Sequence, residues 1–268
     1  MTPYLQQRTL YPPQILKRPS QNLGLVVVIP AYDEPYLLLS LLSLQKCALP
    51  GCCVEIIVVL NDGEGAAASV RERHRMQFQT LTNWAFAESR PELSFHILYK
   101  SGLPKKHAGV GLARKIGMDE AAWRLQRAGH PSGIISCFDA DSRCMPNYFQ
   151  ALELHFQHEP ETQACSIHFE HPLEGADFSE EVYAAITEYE LHLRYYVQAQ
   201  RFAQFPFAYH TIGSSMAVRA SAYQKQGGMN RRKAGEDFYF LHKFIELGHF
   251  SELFSTKVIP SPRPSQRV

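Results

Sequence analysis

The stretch Leu25-Val26-Val27-Val28-Ile29-Pro30-Ala31-Tyr32-Asp33-Glu34 decides the fold. Leu25 to Ile29 is an unbroken apolar, mostly β-branched run that Pro30 closes. Such a run predicts a strand buried on both faces, as in a parallel sheet. Working outward, the pattern repeats. Pro35 to Lys46 is apolar on most faces and reads as a helix entered at a proline. Val54 to Leu60 is a second buried strand, ending in the turn Asn61-Asp62-Gly63. A helix follows over about Ala66 to Glu88. Leu93 to Tyr99 is a third strand, Gly109 to Ala128 a helix, and Gly133 to Phe138 a fourth strand. Strand and helix in repeated alternation predict right-handed βαβ units, an α/β fold with a mainly parallel central sheet flanked by helices. In the second half, Phe178 to Gln204 reads as a long helix, Ser214 to Arg219 as a short strand, and Glu236 to Leu247 as a helix stopped at Gly248. This half completes one domain over residues 23–260. It lies between an extended, proline-punctuated arm at 1–22 and a flexible Pro/Arg tail at 261–268.

Composition narrows the function. A hydrophobic content of 45% over 268 residues excludes general disorder. Lys and Arg number 27 against 26 Asp and Glu, a net charge of +1, which argues against a general nucleic-acid or anionic-membrane binder. No run reaches the ~20 apolar residues of a membrane span, so no integral membrane segment is expected. Peripheral membrane association stays open. Six scattered cysteines without a C-x-x-C pair suit a reducing, cytoplasmic setting.

In a parallel sheet, ligands bind beyond the carboxyl ends of the strands. The polar clusters fall there. Ile134-Ile135-Ser136-Cys137-Phe138-Asp139-Ala140-Asp141 delivers two carboxylates, one residue apart, from a buried strand. Alternate residues of an extended chain point the same way, and two close carboxylates repel unless a cation lies between them. Mn²⁺ or Mg²⁺ on Asp139 and Asp141 is one reading; a helix-capping turn is the other. His210 is a candidate third ligand or a structural histidine. Pro30, Tyr32 and Glu34 suit stacking on and hydrogen bonding to a nucleoside, and equally a strand-to-helix turn. Asn61 and Asp62 are either turn residues or acceptors for a nucleobase. Lys105-Lys106-His107 and the glycines before the Gly109 helix, with Arg114 inside it, suit a diphosphate at a helix N-terminus, or a solvated basic loop. Gly235-Glu236-Asp237 opens a helix, as a cap or as a general base. Gly213-Ser214-Ser215 upstream suits a wall against which a sugar packs.

Together these motifs resemble a nucleotide-sugar glycosyltransferase of the GT-A fold, similar to family 2. V-V-I-P-A-Y-x-E, V-V-x-N-D-G, D-x-D, G-S-S-M-A-V-R and G-E-D occur in that order across about residues 25 to 247. The resemblance implies a Rossmann-like sheet, and Glu34 and Asp62 on a nucleoside, uridine by preference. It implies Asp139 and Asp141 on ribose and the metal–diphosphate, and Asp237, beside Glu236, as catalytic base. It further implies an inverting transfer to a sugar, lipid-linked or small-molecule acceptor. The second strand departs from the family's D-D-G-S-x-D, since Asn61 replaces the first Asp and Glu64-Gly65-Ala66 the S-x-D. Two competing readings are a haloacid-dehalogenase-like phosphatase using Asp139 in D-x-D-x-[ST], and a non-catalytic sugar-nucleotide-binding partner protein.

Overall fold

The computed structural model describes residues 1–264. A short helix α1 (Pro3–Gln7) is followed by β1 (Leu23–Ala31), α2 (Leu37–Gln45), β2 (Cys53–Gly63), α3 (Ala68–Glu88), β3 (Leu93–Leu103), α4 (Val110–Ala128) and β4 (Ile134–Cys137). The second half holds β5 (Arg143–Cys144), α5 (Tyr148–His158), β6 (Ala164–Phe169), α6 (Glu180–Phe202), β7 (Met216–Arg219), α7 (Ala220–Lys225), α8 (Glu236–Glu246) and β8 (Phe250–Ile259). All strands join one sheet in the order β3-β2-β1-β4-β7-β6-β8-β5. The pairs among β3, β2, β1 and β4 are parallel, as is β6 with β8. β7 runs antiparallel to β4 and β6, and β5 to β8. The sheet is therefore mixed and mostly parallel.

The β-branched runs fill both faces. Leu25, Val27 and Ile29 pack with α2 and α5 residues such as Leu41 and Leu152, while Val26 and Val28 pack with α4 and α8 residues such as Ile116 and Phe244. Gly117 marks where α4 presses closest on the sheet. A Cβ there would stand 2.4 Å from Val28 Cγ1 and 3.1 Å from Val59 Cγ2.

Several boundaries move. α2 begins at Leu37, two residues beyond the proline, and β3 runs on to Leu103. β6 and β8 escape the sequence pattern because polar residues interrupt their apolar ones, Ser166 and His168 in β6 and Glu252, Ser255, Thr256 and Lys257 in β8. The arm is not simply extended. α1 buries Tyr4 and Leu5, and the Tyr4 hydroxyl donates to Asp119 Oδ1 at 2.6 Å. Further along, the Gln14 and Ile15 N–H groups donate to Glu120 at 2.7 and 3.1 Å. Apolar residues this sparse give no periodicity to read. At the other end Arg263 is held by two carboxylates, so 261–264 is not a loose tail there; residues 265–268 of the expected tail lie outside the described residues.

Gly117→Val forces β-branched bulk between α4 and β1. We expect a loss of about 1–3 kcal/mol, seen as a melting temperature several degrees lower with an unchanged circular dichroism spectrum.

Candidate functional site

The carboxyl ends of β1, β2 and β4 meet the starts of α4 and α8. The centre of this region is Arg114, in the first turns of α4 and fully buried. Its Nη2 donates to Asp139 Oδ1 at 2.8 Å, and its Nη1 donates to Glu236 Oε1. Burial alone would weaken the guanidinium as a base, but Asp139 and Glu236 outweigh it and raise its pKa. Burial, then the neighbouring Asp237, pushes the Glu236 carboxyl up against the pull of Arg114. Gly213 is required here: a Cβ would lie 2.5 Å from Arg114 Nη1. Gly111 plays the same part at the α4 start, where a Cβ would stand 2.2 Å from the Arg232 carbonyl oxygen and 3.1 Å from Glu236 Cβ. The first turn of α4 and the turn leading into α8 thus meet backbone to backbone.

A second cation sits beside the first. Arg263 Nη2 donates to Glu34 Oε2 at 2.5 Å and to Asp141 Oδ2 at 3.2 Å. Glu34 is buried, and its Oε1 accepts the Tyr36 N–H at 2.9 Å. Burial raises the Asp141 carboxyl, as do the like charges of Asp139 and Glu34, with Arg263 opposing them. Asp139, Asp141, Glu34 and Glu236 therefore share one electrostatic field around two arginines.

Asp62 is fully enclosed. Its Oδ1 accepts from the Ser101 hydroxyl at 2.8 Å and the Gly102 N–H at 2.9 Å, and its Oδ2 from the Tyr99 hydroxyl at 2.9 Å. Burial alone would raise its pKa, yet the donors Gly102, Ser101 and Tyr99 hold the carboxyl below its ordinary value. This carboxylate forms the wall behind the site instead of its surface. Asn61 beside it is buried too. Sequence reasoning missed His74, which is buried in α3. Its Nε2 accepts the Asp33 N–H at 2.8 Å, which leaves the proton on Nδ1, facing Asp62 at 3.6 Å. The His74 ring also meets Tyr32 edge-on, with centroids 5.6 Å apart. A single histidine in a mostly polar helix carries no sequence signal for such a role. Asp33 takes φ +47°, and its carboxylate accepts from Arg73 at 2.6 and 2.8 Å. Pro30 is buried in β1, opposite Val59, while Tyr32 remains 40% exposed.

Asp237 is half-buried, and its Oδ1 accepts the Phe238 N–H at 2.8 Å. Lys106 is exposed on the loop before α4. His210 is not brought to the two aspartates. Its ring packs on Phe169 at 5.2 Å in a pocket shared with Arg194 and Arg201; burial and then those two cations push its pKa down to about 4. Among the described residues no group of three His, Cys, Asp or Glu side chains is gathered as for a metal ion. The donor set that fits one is Asp139, 41% exposed at its side chain, with Asp141, 29% exposed. Hard carboxylate oxygens and surplus negative charge suit Mg²⁺ or Mn²⁺, which complete their shells with water and phosphate oxygens.

Comparison with known proteins agrees with this architecture. Residues 134–263 match the family described as Glycosyl transferase family group 2. S. aureus TarS 1-349 in complex with UDP-GlcNAc superposes with TM-score 0.59 at 14% identity, covering 91% of this chain and 60% of that one. S. aureus TarS 1-349 in complex with UDP gives TM-score 0.58 at 13% identity, covering 89% and 60%. This chain thus spans about three fifths of the TarS chains it resembles. At such identities the likeness is one of fold. No curated protein sequence matches the chain.

Asp62→Asn removes a carboxylate whose folded pKa is lowered. Its stabilisation is present above the ordinary carboxyl value and is lost as pH falls through the lower folded one. Urea unfolding at pH 7 is expected to show a deficit of about 1.5–3 kcal/mol against the native chain, shrinking as pH falls below the ordinary value near 3.8.

Proposed function

We propose that the chain, a GT-A fold whose residues 134–263 match glycosyl transferase family group 2, moves a sugar from a nucleoside-diphosphate donor to an acceptor hydroxyl. The donor we favour is a UDP-sugar, because the TarS structures that share the fold are complexes with UDP and UDP-GlcNAc. One observation carries the reading. Arg114 joins Asp139, after β4, to Glu236, at the start of α8, which supports a reading in which the D-x-D pair and the Glu-Asp pair serve one site.

Tyr32 and Glu34 would face the nucleoside, with Asn61 and Asp62 shaping the wall behind them. Asp139 and Asp141 would hold Mg²⁺ or Mn²⁺, which when bound supplies charge neutralisation to the departing diphosphate. Lys106, on the loop before α4, adds a cation on the same side, and the α4 N-terminus favours negative charge. Arg114 keeps Asp139 oriented and sequesters Glu236, which leaves Asp237 as the accessible carboxylate of its pair. Asp237 takes the proton of the acceptor hydroxyl as that oxygen bonds to the anomeric carbon. The bond from the same carbon to the diphosphate breaks with its electron pair staying on the diphosphate, a single displacement with inversion. Arg263 lies between Glu34 and Asp141 and would compete there with any other cation.

Two measurements test this. Asp237→Asn is expected to lower kcat about 10²–10⁴-fold with donor affinity changed less than about threefold; native turnover in this variant defeats the assignment of the base. Arg263→Ala removes the competing cation, so calorimetric Mn²⁺ binding without donor is expected to tighten several-fold, and to vanish when Asp141→Asn is added. No Mn²⁺ binding by either chain, with full turnover of a UDP-sugar in EDTA, removes the metal from the scheme.

A further inference from the structure

Two exposed basic loops touch at the rim of the cleft. Gly109, which ends the loop carrying Lys105 and Lys106, packs on the other loop: a Cβ there would lie 3.3 Å from Lys233 Cα. Lys105, Lys106, Arg231, Arg232 and Lys233 are all exposed, and among the described residues none of them forms an ion pair. Five uncompensated cations thus gather in a chain whose net charge is only +1. The expectation from overall charge therefore misses a local concentration.

The cations border on an aromatic surface. The Arg232 guanidinium lies 3.7 Å from the Tyr239 ring centroid. From Tyr239 the rings continue through Phe238, His242 and Phe207 to Phe205, with centroid separations of 5.3, 3.9, 5.0 and 5.5 Å. The outer members face solvent: Phe238 is 43% exposed, Tyr239 47% and Phe205 47%, and Phe202, which ends α6 just before Phe205 in the chain, is 93% exposed. A contiguous apolar patch with a cationic rim is not what a solvent-facing surface needs.

We propose that this surface docks the chain on an anionic lipid bilayer, the rings entering the headgroup layer and the loop cations engaging lipid phosphates. Aromatic rings and arginines together suit that interface, and each cation near an anionic leaflet adds affinity. The same charge disfavours pairing with a second copy, because a two-fold contact sets like-charged loops against each other. Phe238 directly follows Asp237 on α8, so the docking surface adjoins the Glu-Asp pair. On the transfer reading above, an acceptor carried in the bilayer then reaches Asp237 from that side; the docking itself does not depend on that reading.

Vesicle flotation without donor tests the docking, using phosphatidylcholine vesicles with and without phosphatidylglycerol. The native chain is expected to float with the anionic vesicles at low salt, and less at high salt. Arg231→Glu with Arg232→Glu is expected to weaken that binding at least about twenty-five-fold, from roughly fivefold per cation removed. Phe202→Ser with Phe205→Ser is expected to weaken it about tenfold at either salt concentration. Both pairs lie on the surface and leave circular dichroism and melting unchanged. The proposal falls if the native chain ignores the anionic lipid, or if both double variants float like it. It falls equally if the native chain dimerises in gel filtration, the variants do not, and none binds vesicles.

Discussion

A guanidinium buried between two carboxylates organises this molecule. Arg114 belongs to the regular βαβ half, as does Asp139, whereas Glu236 comes from the irregular half, more than a hundred positions away. Taking such a group out of water is costly, and the cost is offset only while both acids remain in place. The arrangement therefore stitches the two halves at the place where the strands deliver their polar residues. It also dictates glycines around it. Gly213 looks in sequence like part of a sugar-contacting wall, yet its first duty is to leave room for Arg114.

Charge balance explains how so many acids coexist. Glu34, Asp139, Asp141 and Glu236 would repel one another in a bare cleft. Arg114 and Arg263 divide them into two groups, one deep and permanent, the other at the mouth and reached from the end of the sheet. Asp62 follows another course, satisfied by neutral donors and walled in with His74.

The first half of the fold was legible because continuous β-branched runs have few structural uses. Leu25 to Ile29 and Val54 to Leu60 sit as read, covered on both faces. The second half was not, because β6 and β8 mix apolar with polar residues and α6 is exposed over much of its length. For the site, the motifs named the acids, and strand ends gave their neighbourhood. Which cation meets which acid depends on packing between distant segments, so neither the Arg114 bridge nor the enclosure of Asp62 had a local signature. His210 shows the reverse, a residue type that suits metals but whose nearest charges are arginines. The basic rim was invisible for the same reason, since its two loops are far apart along the chain.

The bare backbone contact at Gly111 has a mechanical meaning. Where side chains meet, a displacement dissipates through rotamer changes; where main chain meets main chain, little can yield. The loop ahead of α4 and the turn leading into α8 therefore behave as a stiff joint. A push on the Lys105–Lys106 loop is felt at the Glu-Asp pair with little slack, and so is a push on Arg231 to Lys233.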